Sequence, residues 1–344
     1  MKRNENIYKW AATLGVLTVL VATPVCMAQE PVATVVNLQQ KTTLIGLDNK
    51  ITVAIQHKIQ ELAPNSKIEL GAVRETENMW YIKSVDEKSQ FEVEKATGIV
   101  NKALIKFPYN ELEPKWKSKG MEAVKMLAPA RTLTFDTAVR NLRGDGPNKG
   151  KVMTILEGAD GSVWFQGDQL IHAVMNTAVS QVDPKIVAAS NIASKSLKIG
   201  TQLKDVHRVY SDIDNMKKNV WKLEFLGSGK YTSTIEIGAE TGKVVRFRNG
   251  EEEQKFISQF KSLTEIKDEM FRGYTKEKVI AVAAPLAKKM LDIDLKGYDM
   301  QRGVMQTPNY FVFSKKGSPT LHGMMTDKGV FYSMWVTQEN GIVQ

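Results

Sequence analysis

The stretch Val220 to Gly250, VWKLEFLGSGKYTSTIEIGAETGKVVRFRNG, limits the possible folds more than any other. Trp221, Leu223 and Phe225 alternate on one face, and Gly227-Ser228-Gly229 then turns the chain. Ile235 and Ile237 alternate next, Glu240-Thr241-Gly242 makes a second tight turn, and Val244 to Phe247 starts another strand. A period of two with turn residues at these offsets predicts three consecutive antiparallel strands. Glycine suits position 242 because a tight turn between strands often requires positive φ.

Weaker copies of this pattern recur along the chain. Asp48 is placed to cap a helix carrying Ile51, Ala54, Ile55, Ile59 and Leu62, which Pro64 stops. Strand-like runs follow to Ile105. A second helix beginning near Lys117 ends in Leu127-Ala128-Pro129, a repeat of Leu62-Ala63-Pro64. Asp183-Pro184 predicts an N-cap with proline at the first helical position, leading to the opening motif. Phe256, Ile257, Phe260, Leu263 and Ile266 predict one amphipathic connector helix over 251–273. Beyond Thr275 comes a last helical stripe, which Pro285 should kink or split, and then further strands. The expected organisation is therefore a leader at 1–28, a tether or first edge strand at 29–46 and units at 47–110, 112–178, 182–250 and 274–344, with the connector before the last. The aromatic strand residues Trp80, Trp221 and Tyr310 and the turn glycines Gly98, Gly242 and Gly329 mark three of the four units, and they read as core and turn positions.

Lys2, Arg3 and Lys9 precede an uncharged run to Met27, and Cys26-Met27-Ala28 offers small residues for cleavage before Gln29, so the chain is expected to be exported. The apolar run is short for a bilayer span and is broken by Pro24. Without residues 1–28 the net charge falls from +9 to +7 and the only cysteine is lost. A thiol nucleophile, a thiolate ligand and a disulfide are then excluded from the mature chain. The remaining positive charge is compatible with acidic partners or anionic envelope polymers.

The motif Ile235-Glu236-Ile237-Gly238-Ala239-Glu240-Thr241-Gly242-Lys243-Val244-Val245 resembles the PepSY family, and Phe91-Glu92-Val93-Glu94-Lys95-Ala96-Thr97-Gly98-Ile99-Val100 is a second match. Tandem copies behind a leader are similar to the YcdB/YcdC-type repeat proteins of Gram-positive bacteria. The second unit lacks the Thr-Gly turn, and the fourth has Asp327-Lys328-Gly329 in its place. The resemblance implies an α+β class of tandem PepSY-like units, each a helix packed on a curled antiparallel sheet. It also implies a non-enzymatic role: PepSY modules occur in the propeptides of thermolysin-type metallopeptidases, so a secreted peptidase is an expected protein partner.

No chemical constellation competes with that expectation. His57, His172, His207 and His322 are scattered one per unit without metal-ligand spacing, and no HExxH or GxSxG occurs. Asp212-Ile213-Asp214 and Asp292-Ile293-Asp294 do not extend into a calcium loop, and Gly144 to Gly150 lacks the ending of a phosphate loop. The expectation is no catalytic residue, cofactor or metal, and no nucleic acid partner. An exposed sheet edge that adds an extended peptide is the expected binding mode.

Overall fold

The computed structural model describes residues 47–129, 131–144, 149–200, 202–213, 216–227, 231–303, 307–337 and 342–343. The expected leader at 1–28 and tether at 29–46 lie outside the described residues, as do Ser228 and Gly229 of the first turn. The described residues form two compact units, one of residues 47–177 and 207–217, the other of 178–206 and 218–343.

In the N-terminal unit, α1 (Asn49–Leu62) starts where Asp48 accepts a hydrogen bond from the Lys50 backbone N–H at 2.9 Å. A second helix, α2 (Pro114–Leu127), carries proline in its first turn, where the lost N–H has no intrahelical partner to miss. The strands are β1 (Leu70–Glu75), β2 (Met79–Ser84), β3 (Gln90–Glu94), β4 (Val100–Pro108), β5 (Thr137–Leu142), β6 (Val152–Gly158), β7 (Gly161–Gln166) and β8 (Gln169–Asn176). Each pairs antiparallel with the next, and β8 pairs with residues 207–211 of β9 (Gln202–Ile213). Ile51, Ile55 and Ile59 of α1 and Val124 and Leu127 of α2 share one continuous core with Phe91, Ile105, Leu156 and Phe165. Val139, Met153 and Ile155 form a small second cluster on the opposite face.

In the C-terminal unit, β10 (Met216–Leu226), β11 (Thr232–Gly238) and β12 (Val244–Arg248) run consecutively. Next to β12 lies β16 (Phe331–Thr337), followed by β15 (Thr320–Met325), β14 (Tyr310–Ser314) and β13 (Asp299–Arg302). Three helices, α3 (Pro184–Leu197), α4 (Gly250–Ile257) and α5 (Lys276–Leu291), bury Ile186, Phe256, Val279 and Met290 in one core with Leu223, Ile235, Phe247, Phe311 and Met334. The segment expected to be a single connector helix is helical only to Ile257 and continues through the short turns Leu263–Glu265 and Asp268–Phe271. Pro285 stands inside a continuous α5. Among the described residues no helix is long and apolar enough to cross a membrane.

This architecture overturns the expected tandem helix-on-sheet fold. Among the described residues sixteen strands of four residues or more dominate over five α-helices, and the strands join across the expected unit boundaries. β4 pairs with β5 through six consecutive residues, Ala103↔Leu142 to Pro108↔Thr137, and β12 pairs with β16 through Arg246↔Trp335 to Arg248↔Ser333. The physical reason is the edge problem. A separate four-stranded sheet would leave a row of unpaired N–H and C=O groups on β4 and on β12, and joining them edge to edge satisfies both rows.

Candidate functional site

The residues singled out by the sequence fall at two kinds of place, turns and strand faces. Between β3 and β4, the Gly98 N–H donates to the Glu94 carbonyl at 2.8 Å, and between β11 and β12 the Gly242 N–H donates to the Gly238 carbonyl at 2.9 Å. Both glycines hold positive φ, +73° and +66°. Thr97 Oγ1 accepts from the Ile99 N–H at 3.1 Å and donates to Glu94 Oε2 at 2.7 Å, while Thr241 Oγ1 accepts from the Lys243 N–H at 3.3 Å. Glu240 Oε1 accepts from Asn219 Nδ2 at 2.9 Å. Gly329, φ +78°, lies at the last such turn, where Thr326 Oγ1 accepts from the Lys328 N–H at 3.3 Å. These turns are closed by their own chain.

The carbonyls of Asn78, Asn219 and Asn309 each accept a backbone hydrogen bond at 3.0 Å, from Lys95, Ala239 and Met325. Aligning the three asparagines matches Trp80 and Trp221 with Phe311, one residue beyond Tyr310. Trp80 and Trp221 are half-buried against the helix-side cores, and Phe311 is fully buried in the C-terminal core. Tyr310 therefore points to the other face, since neighbours along a strand face opposite ways.

On that face Tyr310 stacks with His322 and Trp335 at ring-centroid distances of 5.9 and 5.7 Å, and His322 with Trp335 at 5.2 Å. Tyr310 Oη and His322 Nδ1 share a hydrogen bond at 2.6 Å. Burial pushes the His322 imidazole down to about 4 and raises the Tyr310 phenol. Arg246 covers Trp335 with its guanidinium 5.3 Å from the ring centre. Across β11, Glu236 is paired with Lys218 at 2.5 Å. Burial alone would raise the Glu236 carboxyl, but Lys218 and Arg246 hold it below the usual carboxylate range. The rings stack on one another and the carboxylate pairs with Lys218, while Arg246 Nε has no hydrogen-bond partner among the described residues; buried as it is, the cluster reads as internal packing.

A more open arrangement lies in the N-terminal unit, beside the first edge strand. There β1 pairs with β2 alone among the described residues. The Thr76 N–H donates to the Met79 carbonyl at 2.9 Å, so by antiparallel alternation Arg74 and Tyr81 are the next bonded pair. Val73 and Glu75 then turn their backbone N–H and C=O groups away from β2. At the start of β1 the chain passes a groove of about 570 Å³ lined by Thr52, Gln56, Ile59 and Gln60 of α1 and by Ser66 to Leu70. Ile59 and Leu70 are buried, and Ser66 Oγ is buried with no hydrogen-bond partner among the described residues. Asn65 Nδ2 donates to the Glu111 carbonyl at 3.0 Å and anchors the loop before it. The groove residues were not singled out in the sequence, although Thr52, Gln56 and Gln60 recur at a spacing of four on α1.

The arrangement offers hydrogen-bonding groups and apolar floor, and no acid–base pair. Among the described residues no group of three or more His, Cys, Asp or Glu side chains is placed to hold a metal ion. No family model and no curated protein matches this chain.

Proposed function

We propose that this chain is an exported, non-enzymatic binding protein that captures an extended segment of a partner protein at the outer edge of β1. The observation that carries this reading is the outward-facing backbone of Val73 and Glu75, next to a groove that begins at Leu70. Main-chain hydrogen bonds to an added strand supply affinity, and neighbouring side-chain space supplies selectivity. The Thr-Gly turns at Gly98 and Gly242 resemble those of the PepSY family, and on that resemblance the partner we propose is a secreted peptidase, held or restrained through the captured segment.

The test pairs the full chain with the peptidases secreted by the same organism, following both their activity and their maturation. Unchanged behaviour in all of them removes the peptidase. Glu75→Pro tests the edge separately. Proline there removes an outward N–H while leaving the ladder bonds of Arg74 and Thr76 in place, as edge strands tolerate. Partner capture that survives Glu75→Pro at full strength would refute strand addition at β1.

A further inference from the structure

We infer that the captured segment is read through its peptide backbone and one aliphatic side chain, and that it is uncharged where it enters the groove beside α1. This rests on the edge-capture reading above and concerns what that edge selects.

The helix wall of the groove carries Thr52, Gln56 and Gln60, which lie above one another because residues four apart share a helix face. Each carboxamide offers both donors and an acceptor. A peptide group presents the same pair, so glutamines match any backbone and do not depend on its side chains. Opposite them, Ser66 Oγ is a buried hydroxyl with no partner among the described residues. That oxygen is covered by the surrounding chain, so it belongs to the packing beneath the groove and not to its accessible wall. The floor is aliphatic, with Ile59 and Leu70 buried and Ile68 half-buried. It takes one apolar side chain and excludes a charged one, which would lose its water without gaining a counter-charge. The charged lining residues are Lys67 and Glu69, both exposed and of opposite sign, so the rim favours neither an acidic nor a basic segment. At about 570 Å³ the groove has room for a few residues of extended chain, not for a folded surface.

The experiment measures fluorescence anisotropy of the full chain with a labelled, capped heptapeptide of alternating Val with Thr or Gln. Three analogues accompany it: one N-methylated at alternate residues, one with a central Lys and one with a central Glu. Saturable binding of the parent is expected, weakened at least tenfold by N-methylation, by either charge, and by the chain variant Gln56→Leu/Gln60→Leu. Both glutamines are exposed, so that variant retains the fold, and circular dichroism checks it. If Glu75→Pro abolishes binding while the double glutamine variant binds normally, the edge reading stands and this inference falls. Binding that neither variant weakens removes both. Stronger binding of the Lys or Glu analogue, or no binding of the parent at about 1 mM, also overturns the inference.

Discussion

Acidification should loosen the C-terminal sheet through one side chain, His322. Its ring is packed on Trp335 and Tyr310, with Nδ1 at 2.6 Å from the Tyr310 hydroxyl, and burial lowers its pKa from 6.5 to about 4. A folded-state pKa below the unfolded value means that the unfolded chain binds the proton more readily. The stabilisation is therefore complete above pH 6.5 and is lost as pH falls from 6.5 towards 4. The gap of roughly 2.5 units at about 1.4 kcal/mol per unit gives about 3 kcal/mol in all, of which about 2 kcal/mol is gone at pH 5. Arg246, the cation over the neighbouring Trp335, adds no compensation for a second positive charge. Urea unfolding read by tryptophan fluorescence at pH 7.5 and pH 5 measures the effect in the natural chain and in His322→Gln. Taking the difference between the two cancels carboxylates such as Glu236, which titrate in both. The natural chain should lose about 2 kcal/mol more than the variant between those pH values. Parallel pH profiles for the two proteins would refute the reasoning.

Other consequences follow from the packing. Gly242→Ala places a Cβ in open space at φ +66°, so its cost is backbone strain alone, about 1 kcal/mol by chemical denaturation, and Gly242→Asn should cost less. Arg140 donates to Thr154 Oγ1 at 2.7 Å and to both Glu113 oxygens at 2.8 and 3.0 Å, and stands over Trp116 at 4.7 Å. Arg140→Ala should lower stability by about 2 kcal/mol through the lost charge-assisted hydrogen bonds, and a loss below about 0.5 kcal/mol would show the contacts of this buried guanidinium to be expendable. Phe91→Ala empties a fully buried site under α1 and should cost about 4 kcal/mol, seen as a fall in the urea midpoint. Lys218→Met leaves Glu236 buried with its nearest cation gone, so NMR titration should find that carboxyl raised from its position in the natural chain.

Much of the local structure was legible because its causes lie within a few residues. Asp48 and Asp183 cap their helices through the backbone two residues on, and Gly98 and Gly242 sit at positive φ in turns whose hydrogen bonds close inside the same loop. Helix continuity was less legible. Pro285 lies inside α5 without ending it, because tertiary packing of Val279, Ala283, Ala287 and Met290 outweighs one lost hydrogen bond. The stripe expected to make one helix over 251–273 divides after Ile257, with Phe256 and Phe271 packing edge to face in the same core. The candidate site was harder still. The edge of β1 is visible only once its neighbour is known, and the orphaned Ser66 hydroxyl only once the chain around it is folded.

The sequence by itself marked the Asp48 and Asp183 caps, the Gly98 and Gly242 turns and the inward alternation of Leu223, Phe225, Ile235 and Ile237, since alternation and turn chemistry are local. It also misplaced one register: Tyr310 was grouped with Trp80 and Trp221, whereas the asparagine contacts put Phe311 there. A slip of one residue moves a side chain to the opposite face of a sheet, and no local signal separates two adjacent aromatics. Only the tertiary structure decided that β4 meets β5 and that β12 meets β16. Those pairings are made by backbone N–H and C=O groups that every residue carries, so the sequence holds no mark of which edge finds which. The same uniformity left β1 with one neighbour among the described residues, and that open row of backbone groups is the basis of the proposed capture of a partner.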